Sequence, residues 1–507
     1  MNKTLYIIPA AGQATRLRPI SNRSSKCMVP VNGKPIISYI IDKIDLDTSD
    51  VIIVHGDNTD VVSYCEKKYG YLKISFARQT KTQGPLHAVY CGLQKVNDLN
   101  NYDKVIIWLG DTIVDSEDDI SDDHSLVVSV KDWQRWCFMD FDGKLYDKPE
   151  KQPPTDLALI GVYCFSDYKR FKEVTDEICE RSFMLNGEYQ ISQLLERMGN
   201  RPQVILSSEW YDCGDLPSLY DSSARILKKR ACRPGSSVSI DTISGTFTKA
   251  GKRCENEVYW YNNVPDKVKP FIPNVYKTDD LSYTMELLPS VTVADMLVFE
   301  DMPEDSIRYI INRCLDTYRL AFNTHDKYKN DSEGMFFTKN FERVTKYKKL
   351  DIHQQEINEY LRYTQKMQQK YSSKLNGETS CVHGDYHLGN IMFSPETGRV
   401  KMIDPRGNWG LFPTIHGNYY YDFVKFMQSI YGEYIWLYPT MDTNINVRDI
   451  CMDEAGKWFG KNNFDFEMIC DLVPIIMGSC LEFHDDSKTR QDMIWDKTLQ
   501  IIRNKNV

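Results

Sequence analysis

Asp385, Asn390 and Asp404 stand in the segments "VHGDYHLGNIMF" and "KMIDPRG", with Asp385 five residues before Asn390 and Asp404 fourteen residues after it. Transfer of a phosphoryl group needs a carboxylate to orient the attacking hydroxyl and two further oxygen ligands to hold magnesium against the β- and γ-phosphates. This trio supplies that set. A polar turn followed by a capping Asp is the plainer reading, but it does not require an apolar strand between the second and third residues.

A different chemistry is written at the other end of the chain. In "YIIPAAGQATRLRP" a strand runs into a loop of small residues, and Ala10, Ala11, Gly12 and Ala14 let the backbone approach a ligand closely enough for successive N–H groups to cradle an anion. Arg16 and Arg18 would neutralise it. A strand followed by a glycine loop is by itself as often a tight turn. "SKCMVPVNGKPIISYIID" and "WLGD" add Lys26 and Asp111, the latter at the carboxyl edge of a strand, where open α/β sheets bind ligands. A carboxylate there suits magnesium.

The elements that must position these groups follow from periodicity. From residue 4 to about 115, continuous β-branched runs ("LYIIPA", "DVIIVHG", "KVIIWLGD") alternate with helix-length segments ("PIISYIIDKI", "PLHAVYCGLQKV"), the pattern of a parallel, doubly wound sheet. "HSLVVSV", "LALIGVYCF" and "QVILSSEW" extend the sheet, and "LPSLYDSSARILKKR" closes it as a helix with basic residues at its end. Ser, Gly and Pro gather in "ACRPGSSVSIDTISG", so a domain boundary is expected near 230. Beyond it come short strands ("SVSID", "GTFTKA"), a helix in "CENEVYWYNNV", a return strand in "LSYTMELL", and then mainly helix.

Composition bounds the function. Hydrophobic residues make up 42% and charged residues 26%, and the formal net charge is -9, which excludes a general nucleic-acid binder. The 14 cysteines show no paired C-x-x-C spacing and read as reduced, mostly buried thiols. The N-terminal residues contain no long apolar run with a small-residue cleavage site, and no stretch approaches the roughly 18 apolar residues of a spanning helix. A cytoplasmic enzyme without membrane association is expected, with the oligomeric state open to a homo-oligomer.

Two resemblances sharpen these readings. The series "AAGQATRLRP", "SKCMVPVNGKPIISYIID", "GPLHAVYCGL", "LGDTIV", "ALIGVYCF", "GEYQI" and "EWYDCGD" resembles the sugar-phosphate nucleotidylyltransferases and their cytidylyltransferase relatives over residues 3 to 230. The resemblance implies that Ala10, Ala11 and Gly12 cradle the triphosphate, that Arg16 and Lys26 grip it and steady the departing pyrophosphate, and that Asp111 and Asp212 share magnesium. It places Gln79, Gln83 and Gly84 at the base, and Lys148, Gly161 and Glu188 at the acceptor phosphate and its organic part. Two positions depart from the family pattern: Ala14 replaces the usual second loop glycine, and "DKPEK" stands for the common Glu-Lys-Pro. The nucleotidyl donor stays open among CTP, UTP, dTTP and GTP.

Residues 231 to 500 resemble the aminoglycoside and choline kinase superfamily, most closely at "VHGDYHLGN". That resemblance implies a bilobal, protein-kinase-like α+β domain over 231–507, with a small lobe to about 290 and a helical lobe beyond. It makes Asp385 the catalytic carboxylate and Asn390 and Asp404 the magnesium ligands. Lys249 would contact the ATP phosphates and Glu257 would brace it, with Lys252 and Glu255 as substitutes. The backbone near Glu286 and Leu287 would receive adenine. Arg406 reads equally as a phosphate ligand or a local salt bridge, and Asp422 as a structural anchor for a helix.

A kinase makes a phosphate ester, and a nucleotidylyltransferase needs one as acceptor. The whole chain therefore reads as a bifunctional enzyme that uses ATP and a second nucleoside triphosphate to activate a sugar or polyol. By resemblance such products feed capsule, lipopolysaccharide or other surface-glycan synthesis. An amino alcohol such as choline or ethanolamine is the alternative acceptor, and a silent nucleotide-sensing or scaffolding domain the alternative from another class.

Overall fold

The computed structural model describes residues 3–70, 73–185, 187–231, 236–241, 243–288, 290–300, 302–322, 334–346, 352–376, 379–410, 412–437, 443–484 and 487–505. The chain forms two compact units, Met1–Ile226 with Phe299–Asp301 and Leu227–Val298 with Met302–Val507. The division falls within the helix Leu216–Ala231, and residues 232–235 of the expected boundary segment lie outside the described residues. Among the described residues the cysteines are free thiols, most of them buried, and no helix is long and apolar enough to cross a membrane.

The first unit is built on a nine-stranded sheet. Thr4–Pro9 lies at its centre, paired in parallel with Ser49–His55 on one side and Lys104–Trp108 on the other; Ile74–Arg78 continues the parallel half. Leu5, Ile7, Val51, Ile53, Val105 and Ile107 are fully buried, as strands covered on both faces require. The chain winds outward through Ser49–His55 and then crosses back to Lys104–Trp108, so the loop after Thr4–Pro9 sits where the winding reverses. A crevice opens there at the carboxyl edge.

Beyond Lys104–Trp108 the sheet becomes antiparallel. Leu157–Phe165 runs against both Lys104–Trp108 and His124–Ser129, with a register break between Leu159 and Tyr163. The expected strand "QVILSSEW" divides into Arg201–Val204 and a short ribbon strand, Trp210–Asp212, separated by a helical turn at Ser207–Glu209.

The second unit opens with a four-stranded antiparallel sheet in the order Ser236–Asp241, Thr246–Gly251, Ser282–Glu286, Val275–Asp279. Helix Glu255–Asn263 follows the second strand, and the remainder is mainly helical. Helix Tyr419–Ile430 is buried on all sides from Tyr420 to Ile430, which marks it as a core element; Asn418 caps its start by accepting from the Tyr420 N–H at 2.9 Å. Around it the hairpin Ile391–Ser394 and Arg399–Met402 pairs Ile391 with Met402.

Candidate active sites

In the first unit, a cavity of about 580 Å³ is lined by Ala10, Ala11, Gly12, Arg16, Lys26, Gln79, Gly84, Asp111 and Glu188, all named from the sequence. The loop 10–16 leaves the central strand and Asp111 leaves its neighbour, so sheet order alone brings them together. Lys26 forms an ion pair with Asp111. Burial would raise the Asp111 carboxyl, but Lys26 and Arg16 hold it below its ordinary value.

Asp212 does not line the cavity, yet it is close to Asp111. The ribbon Thr112–Val114 with Trp210–Asp212 sets Asp212 opposite Thr112, and the Cys213 N–H donates to the Asp111 carbonyl at 3.0 Å. Burial and the negative charge of Asp111 push the Asp212 carboxyl up, against the pull of Arg135, whose guanidinium lies 2.9 Å from Asp212 and 2.8 Å from Asp215. Arg135, in "WQRWC", was not anticipated; its only sequence signal is its place beside Trp136, whose ring it covers at 4.6 Å. Two carboxylates whose charges repel form a hard-oxygen site suited to magnesium, which keeps water or phosphate oxygens as its other ligands. Among the described residues no group of three or more His, Cys, Asp or Glu side chains is placed to hold a metal ion.

Gln83, Lys148 and Gly161 lie outside the lining of this cavity. Gln83 serves through its backbone, its carbonyl accepting from the Tyr189 N–H at 2.8 Å. Lys148 is exposed at a left-handed position, φ 42°. Gly161 lies in the register break with φ 93°, and a Cβ there would meet Leu109, which lines the cavity, at 3.0 Å. Gln79 does line the cavity, but its Nε2 donates to the Gly84 carbonyl at 3.3 Å and meets His87 Nδ1 at 2.9 Å.

Gly84 has φ 98°, and a Cβ would lie 2.6 Å from the Tyr189 carbonyl oxygen. Backbone meets backbone here and neither can yield cheaply. Gly84→Ala is expected to destabilise the first unit by about 1–3 kcal/mol or more, read as a lower denaturant midpoint with weakened nucleotide binding. Ala14 presents the opposite case: at φ 51° it occupies the conformation its missing glycine would favour. Relief of about 1–2 kcal/mol of left-handed strain, less about 0.5–1 kcal/mol of added chain entropy, makes Ala14→Gly stabilising by up to about 1.5 kcal/mol, checked by the same denaturation.

Residues 5–229 match the sequence model of the family described as Nucleotidyl transferase. The N-terminal region is a nucleotidyl transferase. Glucose-1-phosphate thymidylyltransferase of Streptomyces griseus is 28% identical over 243 residues, covering 44% of this chain and 66% of its own length. UTP–glucose-1-phosphate uridylyltransferase AglF of Haloferax volcanii is 29% identical over 226 residues, covering 40% of this chain and 88% of its own. A solved UDP-glucose pyrophosphorylase with UDP-glucose bound covers 45% of this chain and all of its own at 22% identity and TM-score 0.38. Each of these matches spans under half of the chain.

The second unit holds its own cavity, about 890 Å³, and Lys249, Glu257, Asp385, Asn390, Asp404 and Arg406 all line it. The hairpin explains the spacing noted in the sequence. Asn390 precedes one strand and Asp404 follows the other, and the Ile403 N–H donates to the Asn390 carbonyl at 3.0 Å. Asn390 Nδ2 donates to the Asp385 carbonyl at 3.1 Å. Lys249 Nζ lies 2.9 Å from Glu257 and 3.1 Å from Asp404, while the Tyr283 hydroxyl, directly across the sheet from Lys249, donates to Glu257 at 2.7 Å. Burial alone would lower the Lys249 ammonium; Asp404 and Glu257 raise it. Lys249 and Glu257 therefore form the pair, rather than Lys252 and Glu255. Asp404 has φ 55°, a strained value for a non-glycine residue at a site where strain often accompanies function.

Glu286 and Leu287 lie outside the cavity lining, and their N–H groups donate to the Asn274 and Gly245 carbonyls at 2.8 and 2.9 Å. Those two donors are spent within the sheet. Asp422 lies fully buried beneath the loop that carries Asp385, accepting from the His383 and Gly384 N–H groups at 2.8 Å each and from the Tyr318 hydroxyl at 2.9 Å. It anchors the loop as well as its own helix, and burial raises its carboxyl to about 7.

Lys425 was missed. Its ammonium lies 2.9 Å from Asp385 Oδ1. Burial would raise Asp385, but Lys425 and His387 hold it well below the usual carboxylate range. The signal was present, since a lysine flanked by Phe423, Val424, Phe426 and Met427 in a helix of core character has to pair with something.

Proposed function

We propose that the chain is a two-site enzyme that phosphorylates a hydroxyl-bearing small molecule with ATP and then joins that phosphate to a nucleoside monophosphate. The observation that carries the first step is the gathering of Lys249, Glu257, Asp385, Asn390 and Asp404, distant in sequence, around one cavity. Lys249, braced by Glu257, would hold the ATP phosphates. Asp385, ionised, would accept a hydrogen bond from the attacking hydroxyl and align it with the γ-phosphorus. Asn390 and Asp404 are the residues that would hold magnesium against those phosphates.

In the second step Arg16, Lys26 and the N–H groups of the loop 10–16 would hold a nucleoside triphosphate. An oxygen of the acceptor phosphate attacks the α-phosphorus, the bond to the β-phosphate breaks, and pyrophosphate leaves. Asp111 and Asp212 are the residues that would hold magnesium there. Bound at either site, magnesium would neutralise phosphate charge that otherwise repels the nucleophile. The relatives' names point to a sugar 1-phosphate as acceptor and to dTTP or UTP as donor, and to a nucleotide-activated sugar or polyol for glycan assembly as product.

The test is incubation of the purified chain with magnesium, ATP, each other nucleoside triphosphate and a panel of hydroxyl compounds, followed by mass spectrometry. A product that needs ATP and a second triphosphate, heavier than one panel compound by a nucleoside diphosphate unit, is the expected result. Nucleotidyl transfer to ready-made phosphates without any ATP-dependent phosphorylation would overturn the kinase half.

A further inference from the structure

The cavity of the second unit carries more positive charge than its phosphate donor needs. Lys249, the cation assigned to ATP, is tied to Glu257 and Asp404. Four further cations, Lys339, Arg343, Arg406 and Lys425, line the same cavity. Lys425 is paired with Asp385 at 2.9 Å, and Arg343 donates to the Ser479 carbonyl at 2.8 Å with Glu482 3.7 Å away. Lys339 and Arg406 have no carboxylate within ion-pair distance among the described residues. Both converge on one oxygen instead: the Tyr421 hydroxyl accepts from Lys339 Nζ at 2.7 Å and from an Arg406 nitrogen at 3.4 Å.

Aromatic faces hold these two cations in place. Lys339 lies 4.7 Å from the centroid of Tyr421, and the Arg406 guanidinium 4.5 Å from that of Trp409. Such contacts offset only part of the cost of withdrawing a cation from water. Burial and the repulsion of Arg406, Arg343 and Lys425 lower the Lys339 ammonium well below its ordinary value, a repulsion that an anion between them would relieve. Arg406 also packs against the loop that presents Asp385: a Cβ on Gly384 would lie 2.7 Å from the Arg406 Cβ.

On the reading of this site as a kinase, we propose that the phosphoryl acceptor is itself an anion, with a carboxylate or phosphate group held by Lys339 and Arg406 while Asp385 takes its hydroxyl. The acceptor class is thus a hydroxy acid or a hydroxyl-bearing phosphate ester. A quaternary or primary ammonium compound such as choline or ethanolamine offers no anionic group for Lys339 and Arg406 to hold and is disfavoured.

The test is calorimetric titration of inorganic phosphate, and separately of malonate as the carboxylate probe, into the full chain saturated with magnesium and a non-hydrolysable ATP analogue. The analogue fills the γ-phosphate position, so neither probe can report it. At least one probe is expected to bind, and Lys339→Gln to weaken it by roughly tenfold or more with analogue binding unchanged; which probe binds tighter separates the two acceptor chemistries. The nucleotidyl transferase site is identical in both proteins, so the difference between them belongs to Lys339. Should Lys339→Gln fail to fold, judged by its melting, Arg406→Gln carries the same comparison. Absent probe binding, or affinities within twofold of wild type in the folded variants, would overturn the anionic acceptor while leaving the kinase reading standing. Failure of the analogue to bind the wild-type chain, or binding indifferent to Asp404→Asn, would overturn the kinase reading and this inference with it.

Discussion

Asp385→Asn is expected to lower ATP-dependent phosphorylation by about 10²–10⁴-fold, the usual contribution of a positioned acid–base group, and to leave nucleotidyl transfer to a supplied phosphate unchanged. Asn is the informative replacement because its shape and its acceptor oxygen are retained. Lys425, 9% exposed and 2.9 Å from Asp385, keeps a hydrogen-bond acceptor. Alanine would take the carboxylate partner from that ammonium and so mix a change in the cavity's charge balance with the loss of the acid–base group. The bond from Asn390 to the Asp385 carbonyl is a backbone contact and survives either change. What the amide loses is negative charge, and with it the ability to draw on the proton of the attacking hydroxyl. ADP release with the acceptor found in the product screen, set beside pyrophosphate release on the same preparation, checks both halves. Loss of both activities in a folded variant would show that the two sites do not work independently.

The legible parts of the molecule were those in which chemistry and backbone share a short segment. The loop 10–16 was readable because small residues after an apolar strand permit few conformations, and Asp111 because it ends the neighbouring strand. Asn390 and Asp404 were readable because they flank one hairpin, and Asp385 because it stands in the short loop that leads into it, so spacing along the chain is nearly spacing in the structure. Ala14 shows the limit of reading a motif by letters: the glycine is gone but its left-handed backbone remains. Lys339, Arg135 and Lys425 owe their positions to helix packing and loop closure, which no local pattern reports. Glu286 and Leu287 present a related case. Their segment was read for the donors it could offer a ligand, whereas the register of the sheet had already committed those N–H groups to Asn274 and Gly245. Gly161 was assigned to the acceptor because of its position in a matching motif, yet its conformation serves a register break and the placement of Leu109.

Asp111→Asn should produce the converse of Asp385→Asn: nucleotidyl transfer falls by about 10²-fold or more while phosphorylation is untouched. The magnitude follows from removing one of two carboxylates that would hold magnesium, whose neutralisation of phosphate charge is worth several kcal/mol, at about 1.4 kcal/mol per tenfold in rate. A pH profile separates this from a merely structural effect. Burial first, and then the charge of Asp111, raise the Asp212 carboxyl above its ordinary value. A raised carboxyl is protonated, and lost as a metal ligand, at a higher pH than an ordinary one. Asn at position 111 removes the repulsive part of that shift, so Asp212 stays ionised to lower pH and the acid limb of the residual activity moves downward. Pyrophosphate release measured across pH on both proteins reads rate and limb together. A rate loss with the acid limb unmoved would mean that Asp111 and Asp212 do not share a cation, and the pairing of the two carboxylates across the ribbon would then be a feature of the fold alone.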